Sequence, residues 1–311
     1  MVRVAPDGKD SSPSPLQVVL VDRQTRLGPK GSIRFYRYIR AVNEAAALGN
    51  ASQIEVEFDP TFQKLVWHRA EIVRGTQRID RLNRGMIQLL RRETKLERQM
   101  YDGRVTASIV LPDVRVGDHI EWSYSLEGDN PVFGGKFVET DLTVSSRGPI
   151  SLYQYRLISP TSRVIHHRAD EATVTVQSQT VGTDREIVLR HLSAPQFATD
   201  FYTPPSVLIS SMIQLSEFKD WASVAAWAKS LFDEAASGSV EVSQAAATIG
   251  SGPGDVANRV RRTLDFVQRE IRYFGTEMNE ARRSFQRSID TGIVEFSEFV
   301  LARRELARLQ P

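Results

Sequence analysis

Residues 104–128 read RVTASIVLPDVRVGDHIEWSYSLEG. Val105, Ala107, Ile109 and Leu111 alternate with Arg104, Thr106 and Ser108. Beyond a turn, Ile120, Trp122, Tyr124 and Leu126 alternate with His119, Glu121, Ser123 and Ser125. A period of two over this length means strands with one dry face and one wetter face. Pro112 cannot donate to a ladder, and Gly117-Asp118 is turn chemistry. The stretch therefore predicts a β-hairpin. It contains no catalytic constellation and reads as scaffold.

The same pattern spreads outward in both directions. Upstream, QVVLV at 17–21 predicts a first strand and residues 28–32 a turn. In the strand predicted over 33–42, Phe35 and Ile39 fall on one face, Tyr36 and Tyr38 on the other. Ile54, Val56 and Phe58 alternate with Glu55 and Glu57 before Asp59-Pro60 forces a turn. Residues 65–74 and 77–82 read as a hairpin around Gly75-Thr76, and 86–100 as a strand followed by a short helical turn. Downstream, Val138, Thr140, Leu142 and Val144 alternate. Further strands are predicted over 152–158, 163–167, 173–177 and 186–192. Short strands separated by turn signals predict a fold that is mainly β, a large antiparallel β-sandwich over 16–205. Residues 1–15, rich in Pro and Ser, are expected to be disordered.

The period changes after Ser216. Trp221, Val224, Ala225, Ala228, Leu231 and Phe232 form one helical stripe, with Ser216 or Asp220 near the cap. Residues 235–254 are small and read as flexible. A second helix follows, capped at or near Asp255, with Val256, Val260, Leu264, Val267 and Ile271 on one stripe. Arg272–Thr276 is a candidate strand, and the last fifteen residues a candidate amphipathic helix.

Composition narrows the function classes. The 41% hydrophobic and 25% charged residues are those of an ordinary globular chain. A net charge of +2 gives no argument for a nucleic acid partner. No cysteine is present, so disulfides, thiolate nucleophiles and cysteine-metal sites are all excluded from this sequence. No run of about 18 apolar residues predicts a membrane span, and the polar N-terminus lacks the apolar core of a signal peptide. This predicts a soluble chain without an export signal.

Three segments carry a resemblance to a known family. QVVLVDRQTRL, IEVEFDPTFQKLVWHRAEIVRGTQRIDRL and MYDGRVTASIVLPDVRVGDHIEWSYSLEG resemble the bacterial β-rich domain of unknown function found upstream of transglutaminase-like cores, from Gln17 to Leu192. DWASVAAWAKSLF and VRRTLDFVQREIRYFGTEM, within 218–278, are similar to the opening helices of the core itself. The resemblance implies a core whose cysteine, at a helix N-terminus, is activated by a histidine that an acid orients. This sequence has no cysteine and no histidine after His191, so no triad residue carries over. The tail from Asn279 departs from the family, as a divergent or frame-shifted end would. The expectation is a β-sandwich module followed by a short α-helical remnant (216–278) of an α+β transglutaminase-like core and a divergent tail (279–311). Its function would be non-catalytic and accessory, with no cofactor or metal, and its partners protein, peptide or envelope polymer. The alternative is an incomplete form of a papain-like transglutaminase or cysteine protease. The resemblance points to the bacterial envelope or periplasm; the sequence itself leaves the compartment open.

Individual candidates weigh toward structure. His166 and His167 are adjacent on a strand and point to opposite faces, so they do not converge on a metal. His68 reads as a packed or surface histidine. His119 beside Asp118 lacks a nucleophile. Ser145-Ser146 and Ser210-Ser211 lack a nucleophile-elbow motif. Gly252-Pro253-Gly254-Asp255 is a linker and helix cap rather than a phosphate loop. The arginines of the tail are interleaved with acids and read as a solvated face. Trp122 and Tyr124 are in phase with Ile120 and belong to the core. Phe133 and Phe137, in a Gly-rich loop, are retained as surface contacts. The stripes over 221–271 have no core to pack on in this sequence, which predicts loose packing, self-association or cover by the tail. Amide exchange after Ser216 is expected to be rapid; protection equal to that of the sandwich would overturn the loose case.

Overall fold

The structure, a computed structural model, describes residues 14–29, 31–90, 100–101, 104–197, 211–236, 240–270 and 275–276. The expectations for residues 1–13, 91–99, 198–210 and 271–274 and for the tail lie outside them. Two compact units divide the chain: residues 1–92 with 103–217, and residues 93–102 with 218–311.

The first unit is mainly β, as the alternation predicts. Its strands in order are β1 (Leu16–Gly28), β2 (Gly31–Val42), β3 (Gln53–Phe58), β4 (Lys64–Arg74), β5 (Gln77–Asp80) and β6 (Gln88–Leu90). Those after the unit boundary are β8 (Val105–Val110), β9 (His119–Glu127), β10 (Val138–Leu142), β11 (Ile150–Pro160), β12 (His166–Arg168), β13 (Val174–Val181), β14 (Asp184–Ala194) and β15 (Met212–Ser216). A short helix, α1 (Leu48–Ser52), precedes β3. One eight-stranded sheet runs β13-β14-β11-β1-β2-β9-β4-β5, and two three-stranded sheets, β3-β8-β6 and β10-β15-β12, complete the unit.

Two apolar cores form on one face of the large sheet. Ile120, Trp122, Tyr124 and Leu126 of β9 pack with Ile54, Val56 and Phe58 of β3 and Val105, Ala107 and Ile109 of β8. Tyr153, Tyr155 and Leu157 of β11 and Ile187 and Leu189 of β14 pack with Ile213 and Leu215 of β15. Tyr38 of β2 packs against both. Tyr36 and Tyr38 therefore face these cores, while Ile39 lies on the opposite face with Leu20 and Leu152, the separation that alternation implies.

Several expectations are corrected. The stretch 104–128 is not a hairpin. β8 pairs with β3 and β6, and β9 pairs with β2 and β4, so the segment is an arch that joins two sheets over one core. Its connection of eight residues, 111–118, is long for a tight turn, and five of the six β8 residues are buried. The sandwich is also not wholly antiparallel. β1 pairs parallel with β11, whose intervening chain contains β2 to β10 and imposes no hairpin geometry. β15 lacked a sequence assignment, although its Ile213 and Leu215 alternate and are buried.

In the second unit, α2 (Trp221–Ala236) and α4 (Val256–Glu270) match the predicted helices. Asp220 accepts the Ser223 N–H at 2.8 Å and Asp255 the Asn258 N–H at 3.0 Å, which are N-cap bonds. The segment read as flexible contains a third helix, α3 (Val240–Gly250), in which Ala245 to Ala247 have the highest helix propensity of any residue type. β7 (Met100–Tyr101) pairs parallel with β16 (Gly275–Thr276). No helix among the described residues is long and apolar enough to cross a membrane.

Gly128 closes β9 with φ of 116°, and a Cβ there would lie 1.9 Å from the Phe62 carbonyl oxygen. At Gly135, φ is 82° but no atom lies within 4 Å of the same position. In urea denaturation, Gly128→Ala is expected to cost about 3 kcal/mol or more, and Gly135→Ala about 1 kcal/mol. Equal losses would refute the contact with Phe62.

Candidate functional site

Where the two cores meet, the large sheet presents aromatic rings interleaved with arginines. Tyr36 stacks on Tyr124 with centroids 4.9 Å apart, and Tyr38 on Trp122 at 5.0 Å. Arg23 lies 5.4 Å over Tyr36, Arg34 5.9 Å over Phe137, and Arg40 4.4 Å over Trp122. These are cation–π distances. The pairs follow from register, since Tyr36 opposes Tyr124 and Arg23 opposes Tyr36 on adjacent strands.

Two of these arginines have carboxylates. Arg23 Nη1 lies 2.7 Å from Asp141 Oδ2, which also accepts the Tyr153 hydroxyl at 2.5 Å. Arg34 Nε donates to Glu139 at 3.3 Å, and its Nη2 lies 3.0 Å from Asp129. Both partner acids, Glu139 and Asp141, come from β10. The alternation of Val138, Thr140 and Leu142 suggests that those residues face inward, yet Asp141 is buried while Thr140 and Leu142 are exposed. The face turned inward is the one on which Glu139 and Asp141 meet guanidiniums and on which the opposed Leu215 and Ile213 of β15 are buried. Burial raises the Asp141 and Glu139 carboxyls, opposed by Arg23 and Arg34 respectively.

Arg40 has no such partner. Its residue is 7% exposed, and among the described residues no carboxylate or carbonyl accepts a hydrogen bond from its guanidinium. It lines a cavity of about 530 Å³ with Arg23, Arg147, Tyr38, Thr140, Asp141, Ser145 and Ser146 over an apolar floor of Val18, Val21, Val144 and Ile150. A smaller cavity, about 280 Å³, is lined by Arg34, Tyr36, Glu139, Lys136 and Phe133. A third opening, about 990 Å³ and mostly apolar, lies beside β6 and is lined by Leu65, Trp67, Leu82, Ile87 and Leu89, with Lys64 and Arg84 also present.

The residues singled out from sequence are distributed differently. Phe133 is partly buried at the smaller cavity. Phe137 is 3% exposed in the second core and is not a surface contact, because its place beside β10 seats it under Arg34. Asp118 does not pair with His119. It is buried, accepting Arg74 Nε and Nη2, each at 2.8 Å, and the Arg115 N–H at 2.7 Å. Those bonds hold its carboxyl below the usual range, the Arg74 bond foremost. His166 and His167 lie exposed on β12, and no metal-ligand cluster occurs among the described residues.

His68 was read as a packed or surface residue. It is the bulged residue of β4, and its Nε2 lies 2.7 Å from Ser125 Oγ. The pair does not make a nucleophile: Ser125 is 2% exposed, and no carboxylate bonds the His68 ring among the described residues. Burial lowers the His68 pKa. The described cavities thus carry cations and hydroxyls on their walls.

Asp141→Asn leaves the half-buried Arg23 without its counter-charge. Its expected cost is about 3 kcal/mol in urea denaturation, with at least half recovered by Arg23→Met in the same background. A neutral single variant would refute the role given to this pair.

Comparison with known proteins agrees with this architecture. A solved structure described as a "putative protease" from Parabacteroides distasonis aligns with a TM-score of 0.69 at 12% identity, over 83% of this chain and 50% of that one. The chain thus spans half the length of that structure, and the likeness shows a shared fold. Legionella pneumophila aminopeptidase A, solved with aspartic acid, aligns at a TM-score of only 0.33 with 12% identity, over 67% of this chain and 22% of its own. No curated protein matches the sequence. The profile of a domain of unknown function with a solved structure, DUF3857, matches residues 30–195, more than half of the 311 residues, and the chain belongs to that family.

Proposed function

We propose that this chain is a non-catalytic accessory module that binds an extended segment of a protein or envelope polymer. The observation that carries the reading is the apolar opening beside β6. β6 is a short edge strand of its sheet, with Leu89 65% exposed. Trp67 lines the same opening, and its buried indole N–H has no hydrogen-bond partner among the described residues. An extended peptide meets the needs of the edge and the groove together: main-chain pairing at a strand edge and apolar side chains in the groove. Lys64 and Arg84 at the opening favour an acidic flank. The exposed stripes of α2 and α4, where Trp221 is 85% exposed, support self-association as a further contact.

A second reading is that the module serves a papain-like amide hydrolase or acyl transferase, with this chain its incomplete version. The resemblance of residues 218–278 to a transglutaminase-like core supports it, as does the half-length alignment with the Parabacteroides structure. The thiol chemistry would then come from elsewhere, because the chain contains no cysteine. Sequencing the source DNA from the codon for Arg272 through several hundred bases past the stop, read in all three frames, tests this reading; no cysteine, histidine and aspartate in the family's order would remove it.

The module reading is tested with the full chain and a library of labelled, extended ten-residue peptides. Acidic-flanked apolar members are expected to raise anisotropy and shift tryptophan emission. Leu89→Glu is expected to weaken them at least tenfold while leaving the urea midpoint in place. Binding indifferent to Leu89→Glu, or release of new amines above a protein-free blank, would overturn the proposal.

A further inference from the structure

We propose that the cavity lined by Arg40, Arg147, Tyr38 and Ser145 is an anion-binding site, taking the carboxylate or phosphate of a small molecule with an apolar stem. This goes beyond the peptide-binding reading and stands on a different part of the unit.

The first support is the charge of Arg40. A buried cation without a carboxylate is costly, and proteins almost always pair one. Arg23 and Arg34, on neighbouring rows of the same sheet face, are paired with Asp141 and Glu139. Among the described residues, Arg40 has the Trp122 ring beneath it and no carboxylate paired with it. Burial first, and the Arg147 charge second, push its pKa down to about 10, so Arg40 keeps its proton at neutral pH at a cost to the fold. Arg147 adds a second cation where a structural site would place an acid. An incoming anion removes both the desolvation cost and the like-charge repulsion.

The second support is the cavity. Its volume of about 530 Å³ lies in the range of small-molecule sites. Three guanidiniums line it against one carboxylate, and that carboxylate, Asp141, is already engaged by Arg23 and Tyr153. The uncompensated charge is thus that of Arg40 and Arg147. Ser145 is held in place by its own bonds: its Oγ accepts the Arg147 N–H at 3.1 Å, and its carbonyl accepts the Phe197 N–H at 3.0 Å. The floor is apolar, from Val18, Val21, Val144 and Ile150. Fork-shaped donors suit the paired oxygens of a carboxylate or phosphate, and the floor suits a hydrocarbon stem.

The test is calorimetric titration of the full chain with N-acetyl-leucine, its amide, and butyl phosphate. N-acetyl-leucine is expected to bind at least tenfold more tightly than the uncharged amide. Butyl phosphate binding equally well would show that the oxyanion alone is read; weaker binding would assign the site to carboxylates. Arg40→Gln is expected to reduce binding at least tenfold. Arg147→Gln, at an exposed side chain that does not support the core, should reduce it several-fold with an unchanged melting temperature. Arg26→Gln removes one charge from an exposed position elsewhere on β1 and should leave binding unchanged. No anion binding, or binding that survives both Arg40→Gln and Arg147→Gln, would overturn the proposal.

Discussion

A guanidinium placed beneath a sheet must meet either a carboxylate or an aromatic face, and this requirement organises the first unit. The large sheet carries Arg23, Arg34 and Arg40 on the face that also bears its two apolar cores. β10 answers two of them by turning Glu139 and Asp141 inward, and the aromatic rings of β2 and β9 lie beneath Arg23 and Arg40. The pairing with β15 then follows, since β10 must lie over the seam for its acids to reach.

The same requirement explains where the unit is unsatisfied. A domain whose polar groups are nearly all paired makes its exceptions informative. Among the described residues, two of these exceptions line openings: Arg40 lacks an acid at one cavity, and the Trp67 indole lacks an acceptor at the apolar opening. By contrast, the histidines that sequence motifs draw the eye to are accounted for or exposed: His68 bonds a buried serine, His191 bonds Thr143, and His166 and His167 lie on a surface strand.

Much of the fold was legible because alternation is local. Side chains two apart share a face whatever the strand pairs with, so the dry faces of 54–58, 105–111 and 120–126 could be read directly. The caps at Asp220 and Asp255 were equally local, each bonding a backbone N–H three residues on. The candidate site was far less legible. Phe137 stood in a Gly-rich loop by sequence and proved to be core, while Arg40 looked like one more arginine on a strand.

By itself, the sequence determined that these 311 residues are β-rich and hold no thiol, and where most of the strands and the two capped helices lie. Those properties depend on neighbours within a few residues or on composition. Only the tertiary structure decided that residues 104–128 form an arch, that β1 pairs parallel with β11, and that β10 faces inward through its acids. It also decided that Arg40 and Arg147, far apart in the chain, line one cavity. These outcomes depend on which distant groups compete for burial and counter-charge. A local pattern of alternating residues shows which face a side chain takes, and the folded chain alone shows what it meets there.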